Sequence, residues 1–253
     1  NLNSLSEQLE RSISDLHEAN EKLQADIERE KEFISNVSHE LKTPLALIQG
    51  YAEGLKVNVN EDEADKNFYC DVIMDEAEKM NRLVKQLLDL SQIESESLNL
   101  ERVDFDLGQM VQQVLKKNAL LFREKKIAVQ CEEDGELAVN ADYDLTEQVL
   151  LNYLNNALNH VDDRGIIRVD LARLAGRARV TVFNSGQPIP EESLEKIWNS
   201  FYKVDKARTR AYGGTGLGLS IVRAIQDAYQ NGYGVSNVAG GVAFWFELDL
   251  ADH

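Results

Sequence analysis

The sequence is poor in cysteine, in basic side chains and in long apolar runs, and each shortage excludes a class of protein. Only two cysteines occur, Cys70 and Cys131, which excludes a disulfide scaffold and disfavours a metal site; we expect both thiols to be buried and reduced. No run of about 18 apolar residues and no signal peptide occur, so we expect no membrane-spanning segment. With 27 basic against 44 acidic residues, the net charge of −17 argues against a nucleic-acid or anionic-membrane partner.

The distribution of apolar residues divides the chain into three parts. A content of 43% hydrophobic and 28% charged residues in 253 suits one or two buried cores. We expect a coiled-coil helix over residues 1–30, a helical hairpin over residues 31–97 and an α+β domain over residues 98–253.

Residues 1–30 carry apolar side chains at the a/d spacing of a coiled coil. A helix as polar as this one buries its stripe only against another copy of itself, so the pattern predicts a two-stranded coiled coil. The alternative is a single amphipathic helix folded back on the body. The stripe consists of Leu2, Leu5, Leu9, Leu16, Leu23 and Ile27.

The next stretch of helix holds a histidine that faces away from its apolar stripe. At about 100° per residue, two steps turn His39 roughly 160° from Val37 or Leu41, toward solvent. Glu40 flanks the histidine, and Thr43 lies one turn farther along the same face. A lone helical histidine is usually a core or ordinary surface residue, but the helical period excludes burial here.

The polar segment over residues 56–65 predicts the turn of a helical hairpin, and a second amphipathic helix follows over residues 66–95. Two amphipathic helices are too few to close a core, whereas two hairpins make a four-helix bundle. Burial alone therefore predicts a homodimer.

Beyond residue 98 the pattern alternates between strands and helices. We expect helices to cover one side of a mixed, largely antiparallel sheet, which is an α+β layer domain. The predicted helices cover residues 107–123, 145–161 and the stretch after Gly218; the predicted strands cover residues 127–131, 167–171, 180–183 and 242–248.

The helix over residues 145–161 has a stripe of side-chain amides. Asparagine is a poor helix former, so this density weakens the element unless the amides are used. An amide oxygen can ligate a hard cation such as Mg²⁺, and an amide N–H can meet a phosphate without charge repulsion. The alternative is an ordinary solvated polar face. The stripe consists of Gln148, Asn152, Asn155, Asn156 and Asn159.

A glycine loop over residues 213–218 leads directly into the last helix. Glycines before a helix expose backbone N–H groups beside the positive end of its dipole, which makes an anion site. A P-loop is excluded because no Lys-Ser/Thr pair follows the last glycine, and a dinucleotide fold because no strand precedes the loop. A cationic segment that includes Lys203, Arg208 and Arg210 precedes the glycines and could close over a triphosphate.

Together these motifs resemble one known family. Ser38-His39-Glu40-Leu41-Lys42-Thr43-Pro44-Leu45 looks like the phosphoacceptor box of sensor histidine kinases of two-component systems. The amide helix, the turn at 184–190, the segment at 198–203 and the glycine loop resemble, in the same order, the ATP-binding domain that these kinases share with gyrase, Hsp90 and MutL-type ATPases. The resemblance covers essentially the whole chain.

The resemblance implies an ATP-dependent protein histidine kinase that phosphorylates His39 and passes the phosphoryl group to an aspartate of a response regulator. It implies that Glu40 is the general base and that Thr43 positions water for dephosphorylation of the regulator. It assigns Mg²⁺ to Asn156. The nucleotide contacts that it implies are Asn152, Asn156, His160, Asn184, Gly186, Lys203, Arg208, Gly214, Thr215, Gly216, Leu217 and Gly218.

Three positions depart from the family pattern. Asn184 stands where an aspartate is usual, and an amide oxygen accepts a hydrogen bond without charge assistance. Pro188 replaces a glycine and stiffens the turn, and Asn159 brings no positive charge. We therefore expect weaker nucleotide binding, and keep as an alternative a nucleotide-gated, phosphatase-biased or scaffold sensor. A gyrase-like ATPase is disfavoured because Gln148 stands on the amide stripe where a carboxylate would be needed, with Glu147 as the nearest candidate.

The sequence begins inside a predicted coiled coil without an initiator methionine. We expect a fragment that is cytoplasmic as given, preceded in the full-length protein by a sensor and membrane spans. The expected partners are a second copy of the chain and the receiver domain of a response regulator; no nucleic acid is expected.

Overall fold

A computed structural model describes residues 2–57, 62–95, 99–133, 135–204 and 214–251, with the backbone alone for residues 2–10. Its contacts divide the chain into two units, Asn1–Met80 and Asn81–His253. The first is helical, and the second contains both helices and sheets.

The first unit is built from helix α1, Leu2–Lys56, and the beginning of helix α2, Glu63–Glu94. The predicted hairpin is confirmed, and most of its turn lies outside the described residues. Near that turn, the rings of Tyr51 and Tyr69 meet edge to face at a centroid distance of 4.9 Å. Gly54 makes this contact possible, because a Cβ there would lie 2.7 Å from the Tyr69 ring.

The N-terminal half of α1 keeps its apolar stripe open to solvent in the single chain. Leu16 is 72% exposed and Leu23 59% exposed. An isolated helix gains nothing from such a stripe, so the stripe suits burial against a second helix. The coiled coil itself stays a prediction.

The second unit has a small sheet that the sequence pattern did not predict. Strand β1, Arg102–Asp106, pairs antiparallel with strand β3, Ala138–Asp142. Each strand is only 5 residues long, and most of β1 is exposed. Val103 and Phe105 alternate with polar residues in β1, and this run of 5 residues is the signal from which the strand could have been predicted.

The main sheet has five strands, which are β2 Ala128–Glu133, β4 Ile166–Leu174, β5 Arg177–Ser185, β6 Tyr233–Val238 and β7 Gly241–Asp249. Their order across the sheet is β2-β4-β5-β7-β6. Strands β2 and β4 are parallel, and every other neighbouring pair is antiparallel. The predicted mixed, largely antiparallel α+β architecture is confirmed.

The helices of this unit are α3 Leu107–Lys117, α4 Ala119–Glu124, α5 Tyr143–His160 and α6 Gly218–Tyr229. The helix predicted over residues 107–123 is divided at Asn118, whose side chain donates to the carbonyl oxygen of Val114 at 2.9 Å and so competes with the next helical turn.

Alternate residues of the central strands form the core beneath α5 and α6. Tyr153 of α5 is fully buried there, and its hydroxyl donates to the carbonyl oxygen of Trp245 at 3.1 Å. This bond satisfies the one polar group that the ring carries into the core. The strand residues of this core, each at most 3% exposed, are Val169, Leu171, Val180, Val182, Phe244 and Phe246.

The prediction that both cysteines are buried was wrong, because Cys70 and Cys131 are exposed. Cys70 lies one residue beyond Tyr69, which is partly buried, on the outer side of α2. Cys131 lies in β2, an edge strand whose residues are almost all exposed. Among the described helices, none is long and apolar enough to span a membrane.

Replacement of one buried glutamine should stabilise the second unit. Gln226 of α6 is 0% exposed, and neither of its amide atoms has a hydrogen-bond partner in the described part of the chain. An unpaired buried polar group costs about 1–3 kcal/mol. Gln226→Met keeps the volume and removes the amide, so we expect the free energy of unfolding in urea to rise by about 1–3 kcal/mol.

The control is Gln112→Met, since Gln112 is exposed and bonds Glu133 at 3.0 Å. This variant should be as stable as the unmodified chain or slightly less stable. A lower free energy of unfolding for Gln226→Met would contradict the prediction.

Candidate functional site

The predicted phosphoacceptor histidine lies in α1, in the first unit, and its exposure is confirmed. Glu40, the next residue, is partly buried. The Thr43 hydroxyl donates to the carbonyl oxygen of His39 at 3.4 Å, which leaves the imidazole outside this bond. The helix continues through Pro44, which is buried. An exposed imidazole on a rigid helix can act as a nucleophile toward a group that another domain presents.

The amide stripe of α5 meets the glycine loop at one very close contact. A Cβ at Gly218, the first residue of α6, would lie 3.1 Å from Oδ1 of Asn152. The Nδ2 group of Asn152 is buried and has no hydrogen-bond partner within the described residues. The start of α6 also lacks a side-chain cap. An unpaired amide N–H₂ beside the uncapped positive end of a helix makes a site for an anion.

The glycine loop contacts the segment around Phe201, which precedes it in the sequence. The backbone N–H of Phe201 donates to the carbonyl oxygen of Gly216 at 2.8 Å. Gly216 has a φ of +78°, and a Cβ there would lie 2.8 Å from the Cα of Phe201. The same Cβ would lie 3.4 Å from Cε of Lys203. The structure therefore brings the predicted residue Lys203 to the glycine loop, whereas Arg208 lies outside the described residues.

The end of α2 that belongs to the second unit also contacts this loop. The Thr215 hydroxyl donates to Oε1 of Gln86 at 2.7 Å and accepts the Leu217 N–H at 3.3 Å. Nε2 of Gln148 donates to Oδ2 of Asp89 at 3.0 Å. Sequence reasoning missed Gln86 and Asp89, because nothing in a helical pattern marks which polar residues will face another element.

The apolar side chains of the same segment account for its placement. Leu83, Leu90 and Ile93 of α2 are 3%, 2% and 6% exposed. Burial of three aliphatic side chains contributes on the order of 5 kcal/mol, before the cost of ordering them. The buried apolar side chains therefore hold α2 in place, and the hydrogen bonds to Thr215 and Gln148 form as a consequence.

The turn after β5 is held by a carboxylate that the sequence analysis did not identify. The Ser185 hydroxyl donates to Oδ1 of Asp162 at 2.7 Å and accepts the Ile166 N–H at 3.2 Å. The Arg164 guanidinium donates to the other carboxylate oxygen at 2.8 Å. The bonds from Arg164 and Ser185 lower the pKa of Asp162 to about 2.

Asn184 itself is buried at the end of β5, and its Nδ2 donates to the carbonyl oxygen of Ser185 at 3.2 Å. This bond orients the amide and leaves Oδ1 as its acceptor. A Cβ at Gly186 would lie 2.8 Å from the carbonyl oxygen of His160, so only glycine lets the turn pass the end of α5. His160 is exposed and Asn156 is half-buried.

The site as a whole combines an anion site at a helix start, a stripe of amides and a turn with a buried, oriented acceptor. These features, on one face of an α+β sheet, define a nucleotide-binding domain that follows a helical hairpin with an exposed histidine. Comparison with known sequences identifies both parts. Residues 29–96 match the His Kinase A (phospho-acceptor) domain, and residues 141–252 match the histidine kinase-, DNA gyrase B-, and HSP90-like ATPase family.

Related proteins cover both parts together. The sensor histidine kinase YclK of Bacillus subtilis is 36% identical over 88% of this chain and 47% of its own length. The sensor protein kinase WalK of Staphylococcus aureus is 33% identical over 90% of this chain and 55% of its own length. The chain thus spans about half the length of these relatives. It belongs to the sensor histidine kinases of two-component systems.

Solved structures agree with this assignment. The crystal structure of the histidine kinase ThkA in complex with the response regulator TrrA matches 87% of this chain and 61% of the ThkA chain, at 30% identity and a TM-score of 0.73. The Acinetobacter baumannii histidine kinase AdeS shares the fold over 85% of this chain and 98% of its own, with a TM-score of 0.70 at 24% identity.

The lowered pKa of Asp162 predicts how the stability of the fold changes at acid pH. A carboxylate whose pKa is about 2 in the folded chain stabilises the fold above its unfolded pKa of about 3.9, and this contribution is lost as the pH falls from about 4 toward 2. We expect Asp162→Asn to lower the melting temperature at pH 6 and to show a shallower loss of stability than the unmodified chain below pH 4.

Asp163→Asn, which removes the same charge one residue along, is the control and should keep the pH dependence of the unmodified chain. Parallel melting curves for Asp162→Asn and the unmodified chain from pH 6 to pH 3 would contradict the assignment.

Proposed function

We propose that the chain is an ATP-dependent protein histidine kinase that phosphorylates His39 and then transfers the phosphoryl group to an aspartate of a response-regulator receiver domain. The observation that carries this proposal is the buried, unpaired amide of Asn152 against Gly218, in a chain that also exposes His39. The ThkA structure, which contains the regulator TrrA, supports the choice of partner.

The chemistry at His39 follows from the properties of imidazole. A neutral ring nitrogen attacks the γ-phosphorus, an N–P bond forms, and the bond to the β,γ-bridging oxygen breaks with its electron pair going to ADP. The ring then carries a proton on its other nitrogen. Glu40 takes that proton as general base, which keeps the phosphorylated ring neutral.

The residues of the second unit bind the nucleotide and position it. Asn152 and the first N–H groups of α6 donate to phosphate oxygens, and Lys203 adds positive charge beside the glycine loop. Oδ1 of Asn184 accepts from the amino group of adenine. Positioning and charge neutralisation supply most of the rate enhancement in phosphoryl transfer.

We assign the magnesium ion to the amide oxygen of Asn156, which is half-buried on the same stripe. Among the described residues, no group of three or more His, Cys, Asp or Glu side chains could hold a metal. A single oxygen ligand suits Mg²⁺, which usually keeps several waters and binds substrate phosphates. When bound, the ion neutralises phosphate charge.

The proposal includes a homodimer and three functional segments. We assign residues 1–30 to a coiled coil, residues 31–97 to dimerisation and phosphate acceptance, and residues 98–253 to ATP binding. The exposed apolar residues in the first half of α1, among them Ile13 at 59% and Leu16 at 72%, support the dimer because the same helix of a second copy would cover them.

A phosphatase-biased sensor is the second candidate function. The Thr215 hydroxyl, one of the nucleotide contacts that the resemblance implies, already donates to Gln86 at 2.7 Å, and a nucleotide would have to compete with this bond. In such a sensor Thr43 positions the water that hydrolyses the phosphorylated regulator. A gyrase-like ATPase gains no support, since Glu147 pairs with Lys117 at 2.9 Å.

The test is incubation with ATP labelled at the γ-phosphate. The unmodified chain should gain label that is stable to alkali and labile to acid, and His39→Gln should reduce this label to background because it removes the nucleophile. His17→Gln is a matched control, since His17 is an exposed histidine of the same helix that pairs with Glu21 at 3.5 Å; it should label normally. Acid-labile label on His39→Gln would contradict the proposal.

A further inference from the structure

The tip of the β6–β7 hairpin contacts the end of β5 and the turn that follows it. The most specific of these contacts comes from Asn237 in β6. Its Oδ1 accepts the Ile189 N–H at 2.8 Å, and its Nδ2 donates to the Ile189 carbonyl oxygen at 2.7 Å. One side chain thus satisfies both backbone groups of Ile189, as a neighbouring strand would.

The residues around Ile189 make this double bond unusually important. Pro188 and Pro190 flank it and have no N–H groups, so Ile189 carries the only backbone donor of the three. The two prolines stiffen the segment, but they do not attach it to the sheet. Asn237 provides that attachment, because it belongs to a strand paired with β7 from Tyr233 to Val238.

Two glycines of the same hairpin tip contact the turn closer to β5. The carbonyl oxygen of Gly240 accepts the Gly186 N–H at 3.3 Å and the Arg164 guanidinium at 2.6 Å. A Cβ at Gly241 would collide with the carbonyl oxygen of Asn184. The hairpin tip therefore contacts Asn184, Gly186 and Ile189 in succession, and two of these three are proposed nucleotide contacts.

We propose that Asn237 is a positioning residue for nucleotide binding. By fixing Ile189, it holds the turn from Gly186 to Pro190 against the sheet, so that the backbone of Gly186 is in place before the nucleotide arrives. The neighbouring Asn184 is held by β5 itself, through its pairing with Ile167 and Val242. Preorganisation of this kind lowers the ordering cost of binding. The same idea accounts for Pro188: because proline restricts the backbone of the turn, fixing Ile189 also restricts the residues next to it. This inference rests on the proposed function.

The test is the ATP dependence of autophosphorylation in Asn237→Asp, an isosteric change that removes the donor and sets a carboxylate against the Ile189 carbonyl. Loss of about one positioning hydrogen bond should raise the KM for ATP about tenfold. The kcat at saturating ATP should stay within about twofold, since Asn237 touches no reacting group. Asn237→Leu should behave in the same way, because it removes both hydrogen bonds.

The control is Ser236→Ala, at an exposed position of the same strand, which should leave KM unchanged. Calorimetric titration with Mg-ATP measures the Kd of the folded fraction directly, so a loss of folded protein cannot imitate the effect. An unchanged KM and Kd in Asn237→Asp would overturn the inference, as would an equal rise in Ser236→Ala. A fall in kcat with unchanged KM would overturn it too. If the unmodified chain neither binds ATP nor labels His39, the proposed function fails instead.

Discussion

The approach of Gly218 to Asn152 is the contact on which the nucleotide site depends. It sets the uncapped start of α6 against the amide stripe of α5, so that backbone N–H groups and a side-chain amide converge. A Cβ at position 218 would lie 3.1 Å from Oδ1 of Asn152, so a side chain there would crowd the amide. The buried Nδ2 group is left unpaired, which costs about 1–3 kcal/mol. A ligand that bonds the group offsets such a cost, and stability is commonly lower at functional sites.

Sequence reasoning predicted the architecture well where a single element carries the signal. The long helices, the α+β layers and the exposure of His39 follow from periodicity, because each element must bury one face. The strands β1 and β3 were missed, since they are short and β1 is mostly exposed. The break at Asn118 was missed because it depends on one side chain bonding its own backbone. The burial of Cys70 and Cys131 was wrongly predicted, because apolar neighbours in the sequence do not show whether another element covers that side of the helix or strand.

Residue type was enough to select the candidate nucleotide-site residues from the sequence. It was not enough to select the residues that hold them in place. Asn152, Gly216 and Gly218 stand out because amides and glycines are costly inside or before helices. Gln86, Asp89, Asp162 and Asn237 do not stand out, as each is an ordinary surface residue type at an ordinary position. Their roles arise from tertiary contacts: α2 reaches the glycine loop, β6 reaches the turn after β5, and Asp162 receives Ser185 and Arg164. Spacing along one chain does not encode such pairings.

The central claim is that the unpaired amide of Asn152 exists to meet a phosphate, and one variant tests it most directly. Asn152→Leu is nearly isosteric and removes the amide. Calorimetric titration of Mg-ATP, paired with urea unfolding of the same samples, should show at least tenfold weaker binding in a chain that is as stable as the unmodified one or more stable, as expected when a buried unpaired group is removed. Unchanged affinity for Mg-ATP in a folded Asn152→Leu variant would contradict the account.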